Sequence, residues 1–189
     1  DFIWFIFFIV NHAYFSISKI KYKYSFFQND NYLTYSKSTD IYCLFYEKAI
    51  QLLKQKGILT YITSNSWLRT QYGYSLRKFL IENANPLQLI NIEDIQVFED
   101  ATVESNIIEI EKSKWNFKLK AISLKSDFSI GKSLNKYFND NSRIISNLPE
   151  NGWTIGNEAE GNLKIQIESK GIALSLIHIS QGIVRWRCR

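Results

Sequence analysis

The chain has 189 residues, which suits one domain or one domain with part of another, since domains commonly have ~100–150 residues. Hydrophobic residues make up 46% and charged residues 22%, values near the globular average that exclude a disordered or fibrous protein. The formal net charge of +5 favours a polyanionic partner, because counterion release rewards surfaces that gather lysine and arginine. The aromatic share of 15% suits a packed core and a nucleic-acid groove equally well.

The two cysteines, Cys43 and Cys188, have no second cysteine near either of them. This spacing excludes a disulfide framework and zinc sites built from paired cysteines, and a cytoplasmic location is the default expectation. His12 and His178 stand at no recognisable metal-site or triad spacing, so neither receives a chemical role. Because the chain begins at Asp1 and contains no methionine, we expect it to be part of a longer protein.

An unbroken apolar run, FIWFIFFIV, occupies residues 2–10. A membrane-spanning helix needs ~20 apolar residues, and a secretory signal needs a basic leader that Asp1 does not supply. Strands covered on both faces have such continuous runs of Ile, Val and Phe. We therefore predict an interior strand and no membrane partner. The alternative is a peripheral membrane anchor, which burial of the run inside a sheet would exclude.

The next elements follow from apolar spacing and from helix-terminating residues. Residues 11–37 have no stable period and are predicted to form a long loop. A helix is predicted to begin after Ser38-Thr39-Asp40 and to end at Gly57. Asp40 and Glu47 belong to this helix and are interpreted as solvated charges rather than an acid–base pair.

Residues 58–63 (ILTYIT) predict a buried strand, and residues 72–83 a second helix that Asn85-Pro86 terminates. Residues 87–92 and 103–110 are two further strand candidates. Their connection is too short for a crossover helix, so we expect them to be antiparallel. The order of these elements predicts an α/β sheet with an antiparallel edge strand.

Beyond Lys112 the pattern changes. Apolar residues alternate at 117–121 and again at 163–167, as in half-exposed strands, and a polar stretch between them ends at Gly156. We place a domain boundary near residue 125, which gives a first domain of residues 1–125 and a second of residues 126–189.

Five features between residues 38 and 112 occur together in one known family. They are the Ser-Thr-Asp helix start, Gly57 before a strand, Asn65-Ser-Trp-Leu68, Leu76-Arg-Lys-Phe-Leu80 and Val97-Phe98. This segment resembles the second half of the adenine-specific DNA methyltransferases of the TaqI and Eco57I type. The resemblance implies that residues 1–125 are part of a doubly wound, Rossmann-like catalytic domain. Residues 126–189 would then be a linker and the start of a mixed target-recognition region.

In that family the first half of the sheet binds S-adenosylmethionine through a glycine-containing turn. No segment of this chain matches that half, so the resemblance implies no cofactor-binding residue here and a missing N-terminal half as partner. Double-stranded DNA is the other implied partner. The implied activity is methyl transfer to the adenine amino group in a restriction-modification system. We expect the chain alone to bind the donor weakly or not at all and not to methylate DNA.

The catalytic signature of the family, Asn-Pro-Pro-Tyr or Asp-Pro-Pro-Tyr, corresponds here to Asn11-His12-Ala13-Tyr14. By the resemblance, Asn11 holds the amino group of a flipped-out adenine and Tyr14 stacks on the base. The two prolines that make the turn rigid in relatives are replaced. The alternative is an ordinary loop after a strand, in which Asn11 and Tyr14 have no catalytic role.

Phe98, Asn65 and Trp67 are the candidate substrate-binding residues. In relatives an aromatic residue between the last two strands packs against the extruded base, and Phe98 falls at that place. Asn65, Ser66 and Trp67 follow a strand, at the end where open α/β sheets bind their ligands. The alternative for Phe98 is a core position that closes a hairpin. The alternative for Asn65, Ser66 and Trp67, and above all for Ser66, is a simple turn of the chain into the next helix. No metal site is predicted.

Residues 153–184 resemble, more loosely, the beginning of the target-recognition region of larger, fused restriction-modification enzymes. The closing segment Arg185–Arg189 (RWRCR) is a basic and aromatic cluster that could contact phosphate or have no such role. A second hypothesis for the whole chain is a non-catalytic DNA-binding module that needs a partner chain. Salt-dependent duplex binding without donor would favour it.

Overall fold

The computed structural model describes residues 6–10, 31–93, 95, 104–124, 128 and 133–155, and the fold is given for these residues. Six strands in these ranges form one mixed sheet and three α-helices flank it. The strands are β1 (Ile6–Val10), β2 (Ile58–Ser64), β3 (Asn85–Ile92), β4 (Ser105–Glu111), β5 (Leu119–Leu124) and β6 (Arg143–Ile145). The helices are α1 (Ile41–Leu52), α2 (Tyr74–Asn83) and α3 (Leu134–Asn141).

The strands lie in the order β1-β2-β4-β3-β5-β6. β1 is parallel to β2 and β5 is parallel to β3, whereas β4 is antiparallel to both of its neighbours. The antiparallel pairing of β3 with β4 confirms the prediction from their short connection. The predicted edge position of β4 is wrong. The crossover through α2 places β3 two strand positions away from β2. Strand β4 then fills the position between β2 and β3.

Strand β1 lies in the apolar run near the start of the chain. It pairs in parallel with β2, from Ile6 opposite Ile58 to Val10 opposite Ile62. A strand is thus confirmed for residues 6–10, while residues 2–5 lie outside the described ranges. The interior position of β1 stays a prediction, since its one described neighbour is β2. Across the described part of the chain, no helix is long and apolar enough to span a membrane.

The two faces of the sheet carry separate cores. Helices α1 and α2 pack on one face and form the main core. Its central side chains are Tyr46, Leu59, Leu76, Leu80, Leu89, Ile108 and Ile110. On the other face α3 contributes Phe138 to a smaller cluster with Ile92, Ile122 and Leu124. This division follows from the two-residue period of the strands, which sends alternate side chains to opposite faces.

Helix α1 confirms the predicted helix but ends at Leu52, before the predicted stop at Gly57. The left-handed residue after the helix is Lys56, with φ of 68°, rather than the glycine. Gly57 is required for a different reason, because an added Cβ would lie 2.9 Å from the Lys54 carbonyl oxygen. Lys112 completes the helix end by donating from Nζ to the carbonyl oxygens of Gln51 and Leu53, at 2.9 and 2.6 Å.

Glu47 is buried, with 1% of its surface exposed, so its interpretation as a solvated charge is wrong. Its carboxylate accepts hydrogen bonds from the backbone N–H groups of Leu33 and Thr34, at 3.1 and 2.8 Å. The Thr34 hydroxyl and Gln51 Nε2 also donate to it, at 2.8 and 3.1 Å. Glu47 therefore fastens the segment before α1 to the helix. Helical spacing could not reveal this role, because Leu33 and Thr34 lie in a loop.

Residues 133–155 pack on the same sheet as the elements before them. Strand β6 pairs with β5, and Leu148, Trp153 and Ile155 belong to the main core. The chain divides into compact units of Asp1–Ile155 and Gly156–Arg189. The first unit thus continues past the boundary expected near residue 125. The assignment of 126–189 to a linker and recognition region stays a prediction, and residues 156–189 lie outside the described ranges.

We expect Glu47→Ala to lower the free energy of unfolding by ~3 kcal/mol, because buried N–H groups lose a charged acceptor. Urea unfolding followed by circular dichroism measures the change. Glu82→Ala is the matched control, since the Glu82 carboxylate is exposed and pairs with Lys78 at 3.9 Å. That variant should change stability by less than ~0.5 kcal/mol. Equal losses in the two variants would contradict the assigned role of Glu47.

Candidate functional site at the carboxyl edge of the sheet

The carboxyl ends of β2 and β3 meet the amino end of β4 at one edge of the sheet. Because β4 runs antiparallel to both neighbours, residues at its start lie beside residues at the ends of β2 and β3. We call the polar side chains gathered here the carboxyl-edge cluster. Its members are Thr63, Asn65, Asn91, Glu93, Glu104 and Asn106.

A polar row crosses four strands just inside this edge. The strand register aligns Thr63 with Asn106, Asn106 with Asn91, and Asn91 with Ser123. Thr63 Oγ1 donates to Asn106 Oδ1 at 3.0 Å, and Asn91 Nδ2 donates to Ser123 Oγ at 3.1 Å. Buried amides and hydroxyls are costly unless they are hydrogen-bonded, so this row marks where the apolar core gives way to a polar site.

Asn65 directly follows β2 and connects three strands at the edge. Its Nδ2 donates to Asn91 Oδ1 at 2.9 Å and to Glu104 Oε2 at 3.1 Å. Its backbone N–H donates to the Glu104 carbonyl oxygen at 3.1 Å. The Asn65 side chain therefore donates both of its amide hydrogens within the protein. Its Oδ1 accepts no hydrogen bond from any described residue. The predicted contact of Asn65 with substrate stays a prediction.

Two carboxylates lie at either end of the Asn65–Asn91 pair. Glu104 accepts from Asn65, and Glu93 Oε1 accepts from Asn91 Nδ2 at 2.8 Å. The exposed guanidinium of Arg69 forms an ion pair with the same Glu93 oxygen. The asparagine amides thus link two acidic groups, so the edge presents both negative charge and fixed amide dipoles.

Trp67 is completely buried, with 0% of its surface exposed. Its indole Nε1 donates to Asn106 Oδ1 at 3.3 Å. Its ring lies 5.1 Å from the Trp153 ring and 5.9 Å from that of Tyr46, centroid to centroid. In this packing Trp67 holds the end of β2 against the core. A direct contact with substrate stays a prediction that requires the ring to leave this packing.

The Asn106 side chain has one satisfied end and one unsatisfied end. Oδ1 accepts from Thr63 and Trp67, while Nδ2 is buried without a hydrogen-bond partner in the described ranges. The Tyr46 hydroxyl lies 2.9 Å from Thr63 Oγ1. Burial raises the pKa of Tyr46, so its hydroxyl stays neutral and supports this network as a hydrogen-bonding group.

Arg77 is the residue of this region that the sequence pattern missed, since it stood only as a polar position in a helix. It is fully buried beneath the short 3₁₀ turn of Ser66–Leu68. Its guanidinium donates to the carbonyl oxygens of Trp67, Thr70 and Glu150, the last two at 3.0 and 2.7 Å.

Burial lowers the pKa of the Arg77 guanidinium. Within the described ranges no carboxylate pairs with it, so carbonyl dipoles stabilise its charge. A second bond in the same place runs from the Trp153 N–H to the Leu68 carbonyl oxygen, at 2.8 Å. Together these bonds tie residues 148–155 to the turn that follows β2.

Asn11, Tyr14 and Phe98 lie outside the described residues, so their convergence stays a prediction. The described ends of the flanking strands are compatible with it. Val10 at the end of β1 pairs with Ile62 of β2. Phe98 belongs to the connection between Ile92, which ends β3, and Ser105, which begins β4.

The described residues do not fit an S-adenosylmethionine site. Open α/β sheets bind such nucleotides at a glycine-containing turn between a strand and a helix. The turn after β2 contains Ser64, Asn65 and Ser66, whose polar groups bind one another and their neighbours. Gly57 precedes β2, and Gly73 packs against Trp67. The described ranges also contain no group of three or more His, Cys, Asp or Glu side chains that could hold a metal ion.

Residues 6–98 match the sequence profile of the Eco57I restriction-modification methylases. This segment belongs to that family. The Eco57I-type segment includes β1, β2 and β3 and therefore Asn65, Asn91 and Trp67.

Two curated relatives extend the similarity beyond this segment. The Type II restriction enzyme and methyltransferase RM.Eco57I of Escherichia coli is 29% identical over 152 residues, 78% of this chain and 15% of that protein. The Type II methyltransferase M.AccI of Acinetobacter calcoaceticus is 28% identical over 137 residues, 68% of this chain and 25% of that protein. The chain thus spans a quarter or less of either relative.

The fold is shared with a solved structure of a restriction-modification enzyme. It is a nuclease-deletion mutant of the Type ISP restriction-modification enzyme LlaGI in complex with a DNA substrate mimic. The TM-score is 0.54 at 17% identity, and the match covers 82% of this chain and 18% of that chain. This likeness shows the mixed α/β architecture of the chain.

We expect Asn65→Asp to lower the free energy of unfolding by ~3 kcal/mol. The change removes the donor to Asn91 and places a second carboxylate beside Glu104. Chemical denaturation at neutral pH measures the loss. Asn135→Asp makes the same change on the exposed first turn of α3, where a negative charge is favourable, so its stability should stay within ~0.5 kcal/mol of the unchanged chain. A neutral effect of Asn65→Asp would show that the cluster does not hold the edge together.

We expect Gly73→Ala to lower the free energy of unfolding by ~2–3 kcal/mol, because overpacking displaces neighbouring groups. An added Cβ would overlap the Trp67 carbonyl oxygen and lie 2.7 Å from an Arg77 nitrogen. The Gly73 φ of −75° is open to alanine, so the loss would be steric rather than conformational. Thermal unfolding measures it, with Ser75→Ala as the control on the same helix. If Gly73→Ala melts like the control, the close packing of Arg77 under the turn is refuted.

Proposed function

We propose that the chain forms the target-base half of an adenine-specific DNA methyltransferase of a restriction-modification system. The observation that supports this most directly is the carboxyl-edge cluster, which lies where the ends of β2 and β3 flank the start of β4. Its members Thr63, Asn65, Asn91 and Glu93 belong to the matched segment 6–98. Open α/β sheets bind their ligands at such an edge. The chain would thus be the second half of a doubly wound, Rossmann-like sheet that acts in the cytoplasm.

In this proposal the target base enters beside the ends of β1 and β2. Asn11 accepts a hydrogen bond from the adenine amino group and so orients the nitrogen lone pair, Tyr14 stacks on the base, and Phe98 packs beside it. The buried amide cluster of Asn65, Asn91 and Asn106 keeps the strand ends fixed while the base is bound. Preorganised groups of this kind lower the cost of reaching the reactive geometry.

S-adenosylmethionine supplies the methyl group, and we assign its binding to the N-terminal half of the domain, the partner of this chain. This assignment rests on the mismatch between the described edge and a donor site. Double-stranded DNA is the substrate, and the net charge of +5 favours its phosphates. The chain alone is then inactive, because the described part of it offers no site for the donor.

The second candidate function is a non-catalytic DNA-binding module that works with a partner chain. The observation that favours it is the replacement of both prolines of the catalytic signature by His12 and Ala13. Proline rings fix the backbone angle φ, and His12 and Ala13 have no such ring, so a base would be held less accurately.

The test uses the chain expressed together with the coding sequence that precedes Asp1, and unmethylated genomic DNA as substrate. We expect N6-methyladenine, detected by mass spectrometry of the digested DNA, and a ~100-fold loss of its formation in Asn11→Ala. Asn135→Ala, on the exposed face of α3, is the control and should methylate normally. The 189-residue chain alone should show no heat on titration with S-adenosylmethionine in calorimetry.

The outcomes separate the two candidates. A methylated cytosine in place of N6-methyladenine would contradict the adenine specificity. Salt-sensitive duplex binding without methylation, in the longer protein, would favour the non-catalytic module. Donor binding by the chain alone would refute the division of labour between the two halves.

A further inference from the structure

The loop between β4 and β5 comprises residues 112–118. It lies at the opposite ends of the strands from the carboxyl-edge cluster. Strand β4 has seven residues, and at ~3.3 Å per residue it separates the two edges by ~20 Å. The sequence of this β4–β5 loop is KSKWNFK. It combines lysines with aromatic rings outside the proposed methylation site.

Phe117 is the most unusual residue of the β4–β5 loop. Its backbone is left-handed, with φ of 60°, and 61% of its surface is exposed. Its ring lies 4.5 Å from the Trp115 ring, centroid to centroid, and Trp115 in turn packs against the main core. An apolar ring in an unfavourable backbone conformation gains little from folding when it stays exposed. Strained backbone conformations of this kind cluster at sites that bind ligands.

Hydrogen bonds hold the β4–β5 loop in this conformation. The Asn116 N–H donates to the side-chain oxygen of the buried Asn85 at 3.1 Å. The Lys118 N–H donates to Asn116 Oδ1 at 3.1 Å. The outward position of Phe117 is therefore set before any partner binds, which reduces the entropy cost of binding.

Positive charge flanks the exposed ring. Lys114 and Lys118 are exposed, and their ammonium groups make no hydrogen bond or ion pair with any residue in the described ranges. The nearby carboxylate of Glu111 is already engaged by Lys56, at 3.2 Å, and by the Ser113 hydroxyl. The loop around Phe117 thus presents two exposed ammonium groups that can bind an anion.

We propose that the β4–β5 loop binds a single strand of nucleic acid, with Phe117 stacked on a base and Lys114 and Lys118 on neighbouring phosphates. Single strands offer base faces to aromatic rings, whereas bases inside a duplex stack on one another. An acidic peptide would satisfy the lysines but would leave Phe117 without a flat partner. The surface is separate from the carboxyl edge, so the inference does not rest on methyl transfer.

The experiment measures binding of a short, fluorescently labelled oligothymidylate to the full chain by anisotropy, over a series of salt concentrations. Phe117→Asn removes the ring while asparagine tolerates the left-handed backbone, and it should weaken binding ~10-fold without changing the salt dependence. The double variant Lys114→Ala/Lys118→Ala should also weaken binding, and it should reduce the slope of log K against log salt by ~1.4, which is ~0.7 per phosphate contact on a single strand.

Matched controls separate the loop from general changes in charge and surface. Lys78→Ala removes an exposed positive charge from α2, and Phe45→Gln removes a partly exposed ring from α1. Both controls should bind within about twofold of the unchanged chain, since neither side chain contacts the strand. Thermal unfolding by circular dichroism verifies that each variant is folded.

Three results would overturn the inference. The first is unchanged affinity in both loop variants. The second is a duplex of the same length that binds more tightly than the single strand and is weakened equally by Phe117→Asn. The third is competition by polyglutamate as strong as that of the oligonucleotide, which would assign the loop to acidic polypeptides.

Discussion

The two-sided pairing of β4 determines what the carboxyl edge of the sheet can hold. Because β4 runs antiparallel between β2 and β3, its first residues lie beside their last ones. Glu104 and Asn106 thereby come next to Asn65 and Asn91, which would otherwise face each other across an unfilled strand position. The strand also supplies Ile108 and Ile110 to the main core. One strand thus completes both the apolar interior and the polar edge.

The polar edge is stable because its groups are satisfied by one another. Amides and hydroxyls removed from water cost free energy unless they find partners, and a network that is nearly complete becomes rigid. Asn65, Asn91 and Asn106 meet this requirement with carboxylates, hydroxyls and the Trp67 indole. Among the buried side-chain atoms of the cluster, Nδ2 of Asn106 has no hydrogen-bond partner in the described ranges.

The segment 148–155 packs against this edge. Trp153 packs on Trp67, and the carbonyl oxygen of Glu150 binds Arg77. Gly73 makes room for this arrangement, since any side chain there would displace Arg77 or the Trp67 carbonyl. A displacement of residues 148–155 would therefore also shift the turn that holds Asn65.

Local patterns in the sequence determined most of the elements of this protein. Apolar runs and helical spacing predicted β1, β2, α1 and α2, and connection length predicted the antiparallel pairing of β3 with β4, because these properties depend on residues close together in the chain. The family resemblance also directed attention to Asn65 and Trp67 after β2. The tertiary structure alone decided that β4 lies inside the sheet, that Glu47 and Arg77 are buried, and that Trp67 faces the core. Each of these outcomes depends on partners far away in the sequence, such as Glu150 and Trp153, and spacing within one element carries no information about them.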